Sequence, residues 1–477
     1  MLGVCLTVAY FFLITFAFSI GNKWLFAFLI VGEIFHVFQV LMYIYTAWHP
    51  QTAFPRDEQF TPSVDIFVTV TGEPVEIVRE TLNAIRHIDY PLFNIYVLND
   101  GYVAQKENWE EIERLAQELN VECITRKIAG GAKAGNINNA LKETSGDYVV
   151  IFDADHVPHA DFLRRTIPLM ADQKVAFVQS PQYYKNHTLN YVTGSSWEQQ
   201  QLFFGPICSG KNNMNAATMC GTNMVIKREA LLEVGGMSEE SIAEDFMTGM
   251  MLHSRGYKSV YIPEVLAEGL APEDFLSYYK QQFRWARGAL DMLFGKRTLF
   301  SGKLTLPQRL QYFSSVSFYL SGLVVAIDAL IPVAFFFTGQ VPLTISTMTL
   351  ALVFLPYLFL TLYILDRSSN SSFTFRSLAF SIAGFNIHLQ AIMGALLRRK
   401  AAFVVTPKRQ QTGNFTNLVA PHLLYIALVA VGGTVAFMRE GLSASFITNM
   451  AWALLNVAVF IPFIHAAIWG SQSEKIL

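Results

Sequence analysis

Tyr148-Val149-Val150-Ile151-Phe152-Asp153-Ala154-Asp155 reads as an apolar strand that ends abruptly in two carboxylates. In an open α/β sheet, ligands bind outside the carboxyl ends of the strands. Residues two apart on a strand point to one face, so Asp153 and Asp155 can converge there. Working outward, Val64–Val70, Asn94–Leu98, Val121–Thr125 and Val175–Gln179 also read as strands. Helical segments such as Val75–Arg86 and Trp109–Leu119 fall between them. That alternation is the pattern of βαβ units and a largely parallel sheet.

Apolar runs flank this polar block on both sides. Of 477 residues, 52% are hydrophobic and 15% charged, with a mean hydropathy of +0.33, too apolar for an ordinary soluble enzyme. A net charge of −2 gives no global basic field and so no argument for a nucleic-acid partner. Cys5, Cys123, Cys208 and Cys220 are scattered, without a CxxC pair or a His/Cys cluster at zinc spacing. Reduced thiols are expected.

Leu2 to Ile20 is an uncharged run of spanning length, and Trp24 to Trp48 follows after the turn Gly21-Asn22-Lys23. No basic region precedes the first run, so a transmembrane hairpin over residues 1–49 fits better than a secretory signal. Glu33 and His36 lie inside the second run. They are either functional or paired, with each other at i,i+3 or against a neighbouring helix. The α/β block occupies 50–295. Lys296–Arg309 is basic with Leu299, Phe300, Leu304 and Leu306 interleaved, which fits an amphipathic interface helix over 296–311. Spans at Tyr312–Phe337 and Leu343–Leu365 make a hairpin, 312–366. Phe415–Phe437 and Phe446–Ala467 make another, 414–477. Phe373–Leu397 is interrupted by Asn386, His388 and Gln390 and reads as an interfacial helix within 367–413. Arg367, Arg376, Arg398, Arg399, Lys400, Lys408 and Arg409 crowd that segment, against Arg439 alone near the opposite turns. The positive-inside rule then puts the polar block, this segment and both termini on the cytosolic side of the cell (inner) membrane.

Within the block, the paired acids Asp153 and Asp155 suit Mg²⁺ or Mn²⁺, which also take substrate phosphates. A strand-end turn with solvated acids is the alternative. Asn99-Asp100-Gly101 closes the earlier strand and brings Asp100 to the same sheet edge, unless it is an Asx turn. Thr71 and Glu73 end the first strand and can meet a nucleotide base or ribose. Gly130-Gly131-Ala132-Lys133 precedes a helix; it can receive phosphate or simply start the helix. Glu244-Asp245 opens a further helix, where a carboxylate either complements the dipole or acts as a general base. Gln281-Gln282-Phe283-Arg284-Trp285 lies on a helix beginning near Pro272. Arg284 can grip a diphosphate and Trp285 can stack on a sugar, or both can be membrane anchors.

The ordered set Asp100, Asp153-x-Asp155, Glu244-Asp245 and Gln281-x-x-Arg284-Trp285 resembles the D, DxD, [TE]D, QxxRW pattern of processive inverting glycosyltransferases of family 2. Among these it most resembles the bacterial cellulose synthase catalytic subunit. The resemblance extends to Lys133-Ala134-Gly135-Asn136, Cys220-Gly221, His253-Ser254-Arg255-Gly256 and Phe403-Val404-Val405-Thr406-Pro407-Lys408, and covers nearly the whole chain. It implies an α/β GT-A (Rossmann-like) cytosolic domain embedded in an α-helical transmembrane protein with about six spans plus interfacial helices. It implies a UDP-sugar donor with UDP-glucose favoured, a divalent metal (Mg²⁺ or Mn²⁺) on Asp153 and Asp155, and Asp245 as base beside Glu244. Thr71, Glu73, Asp100, Lys133, Asp153 and Cys220 would bind substrate. Gln281, Arg284 and Trp285 would hold the diphosphate and acceptor, and Thr406 and Lys408 would close over UDP-sugar. The expected activity is polymerisation of a cellulose- or curdlan-like β-glucan and translocation of the chain.

Ala243 stands where cellulose synthases have Thr, and two spans rather than four precede the block. No RxxxR followed by DxSxxG occurs and little follows the last span, so no PilZ domain and no direct cyclic di-GMP control are expected. No residue identifies an accessory export protein. The same chemistry could serve a lipid acceptor, adding one sugar to diacylglycerol or a polyprenyl carrier, with the interface segment giving access to membrane lipids. The intact carboxylates argue against a non-catalytic transporter or nucleotide-sugar sensor.

Overall fold

In the computed structural model, which describes residues 1–48, 54–294, 302–370, 372–398, 411 and 413–470, the polar block forms a seven-stranded sheet. Its strands are β1 Val64–Val70, β2 Phe93–Asn99, β3 Glu122–Thr125, β4 Tyr148–Asp153, β5 Val175–Gln179, β6 Met224–Lys227 and β7 Lys258–Tyr261. They lie in the order β7-β5-β6-β4-β1-β2-β3. β1 and β4 are apolar on alternate residues in both directions because both faces are covered. Val64, Ile66, Val68, Val150 and Phe152 pack with Val78, Leu82, Ile112 and Leu115 on one side. Phe67, Val149 and Ile151 pack with Ile137, Leu141 and Leu231 on the other.

All pairings are parallel except those of β6, which runs antiparallel between β4 and β5. β6 and β7 were not among the expected strands: each has four residues, too few for periodicity to announce. Register fixes the working edge. Thr69 stands opposite Asp153 and Val70 opposite Asn99, so Asp100 after β2 and Asp153 at the end of β4 emerge at one sheet edge, on either side of β1.

Among the described residues, six helices are long and apolar enough to span a membrane: Lys23–Ala47, Leu306–Thr338, Thr347–Ser368, Phe375–Leu396, Thr416–Glu440 and Ala444–Ile468. Leu2–Ala17 is shorter. Two expectations change. The helix expected over 296–311 begins at Leu306, where Thr305 and Gln308 form a capping box, and continues towards Thr338. Gln308, Gln311 and Tyr312 are buried rather than spread on an interface; residues 295–301 lie outside the described set. The run 373–397 is two helices, Phe375–Ala383 and Phe385–Leu396, that together reach spanning length. Its polar interruptions point at neighbours: the Asn386 amide donates to the Leu418 carbonyl (2.6 Å), His388 meets Ser321 (3.0 Å) and Gln390 donates to the Tyr279 hydroxyl (2.6 Å).

Glu33 and His36 each find a partner on another helix. Tyr10 donates to Glu33 at 2.7 Å, and His36 lies 2.8 Å from Asp328. The α/β block is tied to the bundle by Tyr278, which donates to Gln199 (2.9 Å) and packs edge-on against Phe380. His253 at the end of the helix Glu244–Ser254 meets Tyr312 at 2.7 Å. All four cysteines are free.

Candidate active site

The chain leaves β4 at Asp153 and turns immediately, and this turn is the centre of the site. The Lys133 ammonium, in the first turn of the helix Ala132–Glu143, donates to the Asp153 carboxylate and to the Gly221 carbonyl, the latter at 2.8 Å. Thr69 adds a bond to Asp153 at 3.3 Å, and the Asp153 amide donates to Thr222 at 2.9 Å. Burial alone would raise the Asp153 carboxyl, but Lys133 and His156 outweigh it and hold it below its ordinary value. Burial alone would lower Lys133, yet Asp153, Glu244 and Asp245 together raise it. The lysine is thus a fixed cation among carboxylates.

Asp155 is buried, and its carboxylate accepts from the Leu270 amide at 3.0 Å. His156 Nδ1 lies 3.6 Å from Asp155, and neither ring nitrogen of His156 has a hydrogen-bond partner among the described residues. Among the described residues no cluster of three His, Cys, Asp or Glu side chains makes a complete protein cage for a metal. Two hard carboxylates without a third protein ligand suit an ion that keeps waters and takes phosphate oxygens. The residues present therefore fit a divalent cation.

Glu244 and Asp245 begin their helix beside this pair. Asp245 accepts from the Phe246 amide at 2.7 Å. Burial raises both carboxyls, Glu244 to about 7 with Asp245 adding to the shift, while Lys133 and Arg284 pull the other way. Gly221, at φ +79°, makes room: a Cβ there would lie 2.8 Å from an Asp245 oxygen. Cys220 contributes backbone, its amide donating to Gln179 at 2.8 Å; burial pushes its thiol well above the ordinary range, so it is inert.

The helix Phe275–Phe294 carries Gln281, Arg284 and Trp285. The Arg284 charge acts on Glu244 and Asp245. Gln281 lies against Tyr184, with its amide oxygen buried and without a hydrogen-bond partner among the described residues. Trp285 is half-buried. Gly288 lets this helix press against Ala243, directly before Glu244.

Asp100 is placed differently from the others. Arg126 holds it with two bonds, at 2.9 and 2.6 Å, and both side chains are buried. Arg126 also donates to the Gly130 and Ala132 carbonyls, which binds Asp100 to the loop that delivers Lys133. Burial raises the Asp100 carboxyl even so, with Arg126 opposing. Thr71 and Glu73 face each other across a tight turn, the Thr71 amide donating to Glu73 at 2.5 Å. Lys133, Asp153, Asp155, Glu244, Asp245, Gln281 and Arg284 are thus brought together, and Asp100 is joined to them through Arg126. Thr406 and Lys408 lie outside the described residues. Arg126 and Tyr184 were missed. Arg126 ends β3 at the same carboxyl edge as Asp100, and that position was its signal.

Residues 148–365 match the glycosyl transferase family group 2 domain. The chain is 30% identical over 442 residues to a cellulose synthase 2 of Novacetimonas hansenii, a match covering 88% of this chain and 27% of that one. It is 36% identical over 296 residues to the UDP-forming cellulose synthase catalytic subunit of Xanthomonas axonopodis pv. citri, covering 60% and 40% respectively. The chain therefore spans well under half the length of these relatives. In fold it is similar to the mannosyltransferase PcManGT of Pyrobaculum calidifontis, solved with GDP-Man and Mn²⁺. That match has a TM-score of 0.56 and 20% identity, and covers 79% of this chain and all of that one. The α/β domain thus has a GT-A-like fold, set on a bundle of helices long and apolar enough to span a membrane.

Proposed function

We propose that this protein is an inverting glycosyltransferase of the cell (inner) membrane, with its catalytic domain on the cytosolic side. On this reading it polymerises a β-glucan from UDP-glucose and passes the chain through its helices. The observation that carries the proposal is the carboxylate Asp245, half-buried beside Gly221 and facing the Lys133–Asp153 pair at the strand ends. The names of the relatives supply the sugar and the UDP leaving group.

Asp245 takes the proton of the acceptor hydroxyl as its oxygen bonds to the anomeric carbon. The bond from that carbon to the diphosphate breaks from the opposite face, which inverts the centre. Lys133 and Arg284 stand where negative charge grows on the departing diphosphate. Arg126 fixes Asp100 to receive the nucleoside, Trp285 offers a ring face to the acceptor sugar, and Thr406 and Lys408 close over the donor. A divalent cation, Mg²⁺ or Mn²⁺, held by Asp153 and Asp155, supplies further charge neutralisation when bound.

Purified protein in phospholipid nanodiscs, given UDP-glucose and Mg²⁺ or Mn²⁺, is expected to release UDP and build a high-mass glucan that a β-glucanase digests. UDP release without such a glucan overturns polymerisation, and a single-sugar lipid product then assigns the site to lipid glycosylation. Asp245→Asn is expected to abolish turnover while sparing UDP binding.

A further inference from the structure

A cavity of about 430 Å³ opens where the catalytic domain meets the membrane helices. It lies between Ala47 at the end of Lys23–Ala47, Ser368 at the end of Thr347–Ser368, and the segment 201–210. Neither Asp153, Asp155, Asp245 nor Trp285 lines it. On the helix Tyr191–Leu202, Gln199 bonds Tyr278 and Ser381. Gln201, two residues on and therefore on the far side of that helix, lines the cavity. The cavity and the helix that carries Trp285 thus lie on opposite sides of Tyr191–Leu202. One strut joins the two regions: Gln182 in the cavity wall donates to the Cys220 carbonyl at 2.8 Å, next to Gly221.

The chemistry of the wall is selective. Every described residue lining it is uncharged. Gln182, Gln201 and Asn370 bring amides, and Tyr183, Phe204 and Tyr261 bring rings. The Gln201 side chain makes no hydrogen bond among the described residues. A phosphate or nucleotide would call for cations, and an acyl chain for a wall without amides. Amides beside ring faces suit a neutral, hydroxyl-rich molecule, and the volume falls in the ~300–1,000 Å³ range of small-ligand sites. The rim includes a π-helical turn, Phe203–Ile207, with Pro206 inside it, a local irregularity frequent at functional sites. Gly205 in that turn faces open space: a Cβ there meets nothing within 4 Å.

We propose that this cavity binds a neutral mono- or disaccharide, either free or as the head of a glycolipid, at a site separate from the transfer centre. The proposal goes beyond the transferase reading and does not depend on it, because its test reads binding rather than turnover.

Saturation-transfer NMR on the full chain in sugar-free phospholipid nanodiscs tests it. Cellobiose serves as the free probe, and octyl-β-glucoside below its micelle-forming concentration as the lipid-linked one. Transfer to at least one probe is expected in the wild type and in Trp285→Ala, and is expected to be lost when Gly205→Leu, which fills the open space, is added to Trp285→Ala. Gln201→Leu is expected to weaken binding about tenfold, the loss of one hydrogen bond. Retained UDP binding checks that each variant is folded. Cellobiose transfer identifies a free sugar, and transfer to octyl-β-glucoside alone a glycolipid head. The proposal fails if neither probe receives transfer in the wild type, if Trp285→Ala/Gly205→Leu leaves transfer as it is in Trp285→Ala, or if Trp285→Ala removes it.

Discussion

Gly221 stands against Asp245 so closely that a single added carbon would lie 2.8 Å from the carboxylate oxygen and 3.6 Å from the Lys133 ammonium. The residue also sits at φ +79°, a region that other residues enter at a penalty of about 1–3 kcal/mol. Gly221→Ala is therefore expected to displace Asp245 rather than unfold the domain. Steady-state UDP release should fall by about 100-fold in kcat, with UDP affinity changed far less. An unchanged kcat would remove Asp245 from the role of base.

Turnover should depend on pH through the buried acids. Burial raises Glu244 to about 7 and raises Asp245 with it, and the base must be ionised. UDP release is expected to climb with pH along a limb that lies above the ordinary carboxylate range. Stability runs the other way. The folded pKa of Glu244 exceeds its ordinary 4.5, so the native state binds the extra proton between these values. The stabilisation is complete below 4.5 and is lost as pH rises through 7. Glu244→Gln should therefore melt higher than the wild type above pH 7, and the gap should close towards pH 4.5.

Lys133 supplies the positive charge that limits those upward shifts. Lys133→Met should move the acid limb of the pH–rate profile upward by roughly 1–3 units and also free Asp153 from its ammonium partner. A lower plateau with an unmoved limb would mean that Lys133 serves the diphosphate alone.

The legible parts of this molecule were those written in neighbouring residues. Tyr148–Phe152 announces a buried strand because five apolar residues run straight into two acids. Val64–Val70 matches the observed β1 end to end. Glu244-Asp245 and Gln281–Trp285 fall on helices whose periodicity is local. What stayed hidden depends on distant partners. Arg126, between Thr125 and Lys127, looks like an ordinary solvated cation until Asp100, 26 residues earlier, is folded against it. Glu33 and His36 could be flagged as costly in a membrane, but their partners, Tyr10 and Asp328, lie 23 and 292 residues away. Met224–Lys227 is too short to show a period, and its antiparallel run is decided by β4 and β5.

The Arg126–Asp100 pair makes its own prediction. Removing one member of a buried pair strands the other's charge, at about 3–5 kcal/mol. Arg126→Met should lower unfolding stability by that order and weaken UDP binding. The double variant Arg126→Met/Asp100→Asn should regain most of the stability, since no buried charge remains, but not the UDP affinity. Titration calorimetry beside denaturant unfolding separates the two effects.

Gly288 and Ala243 set the distance between the helix of Arg284 and Trp285 and the loop of Glu244 and Asp245. A Cβ at Gly288 would lie 2.6 Å from the Ala243 Cβ and 2.9 Å from its amide nitrogen. Gly288→Ala is thus an overpacked contact, worth about 1–3 kcal/mol of stability, and it pushes the cation and ring away from the acids. UDP release should fall by about tenfold or more. Adding Ala243→Gly removes the opposing carbon but leaves the amide contact at 2.9 Å, so it should restore part of both losses. A double variant no better than Gly288→Ala would show that spacing at this crossing does not control turnover.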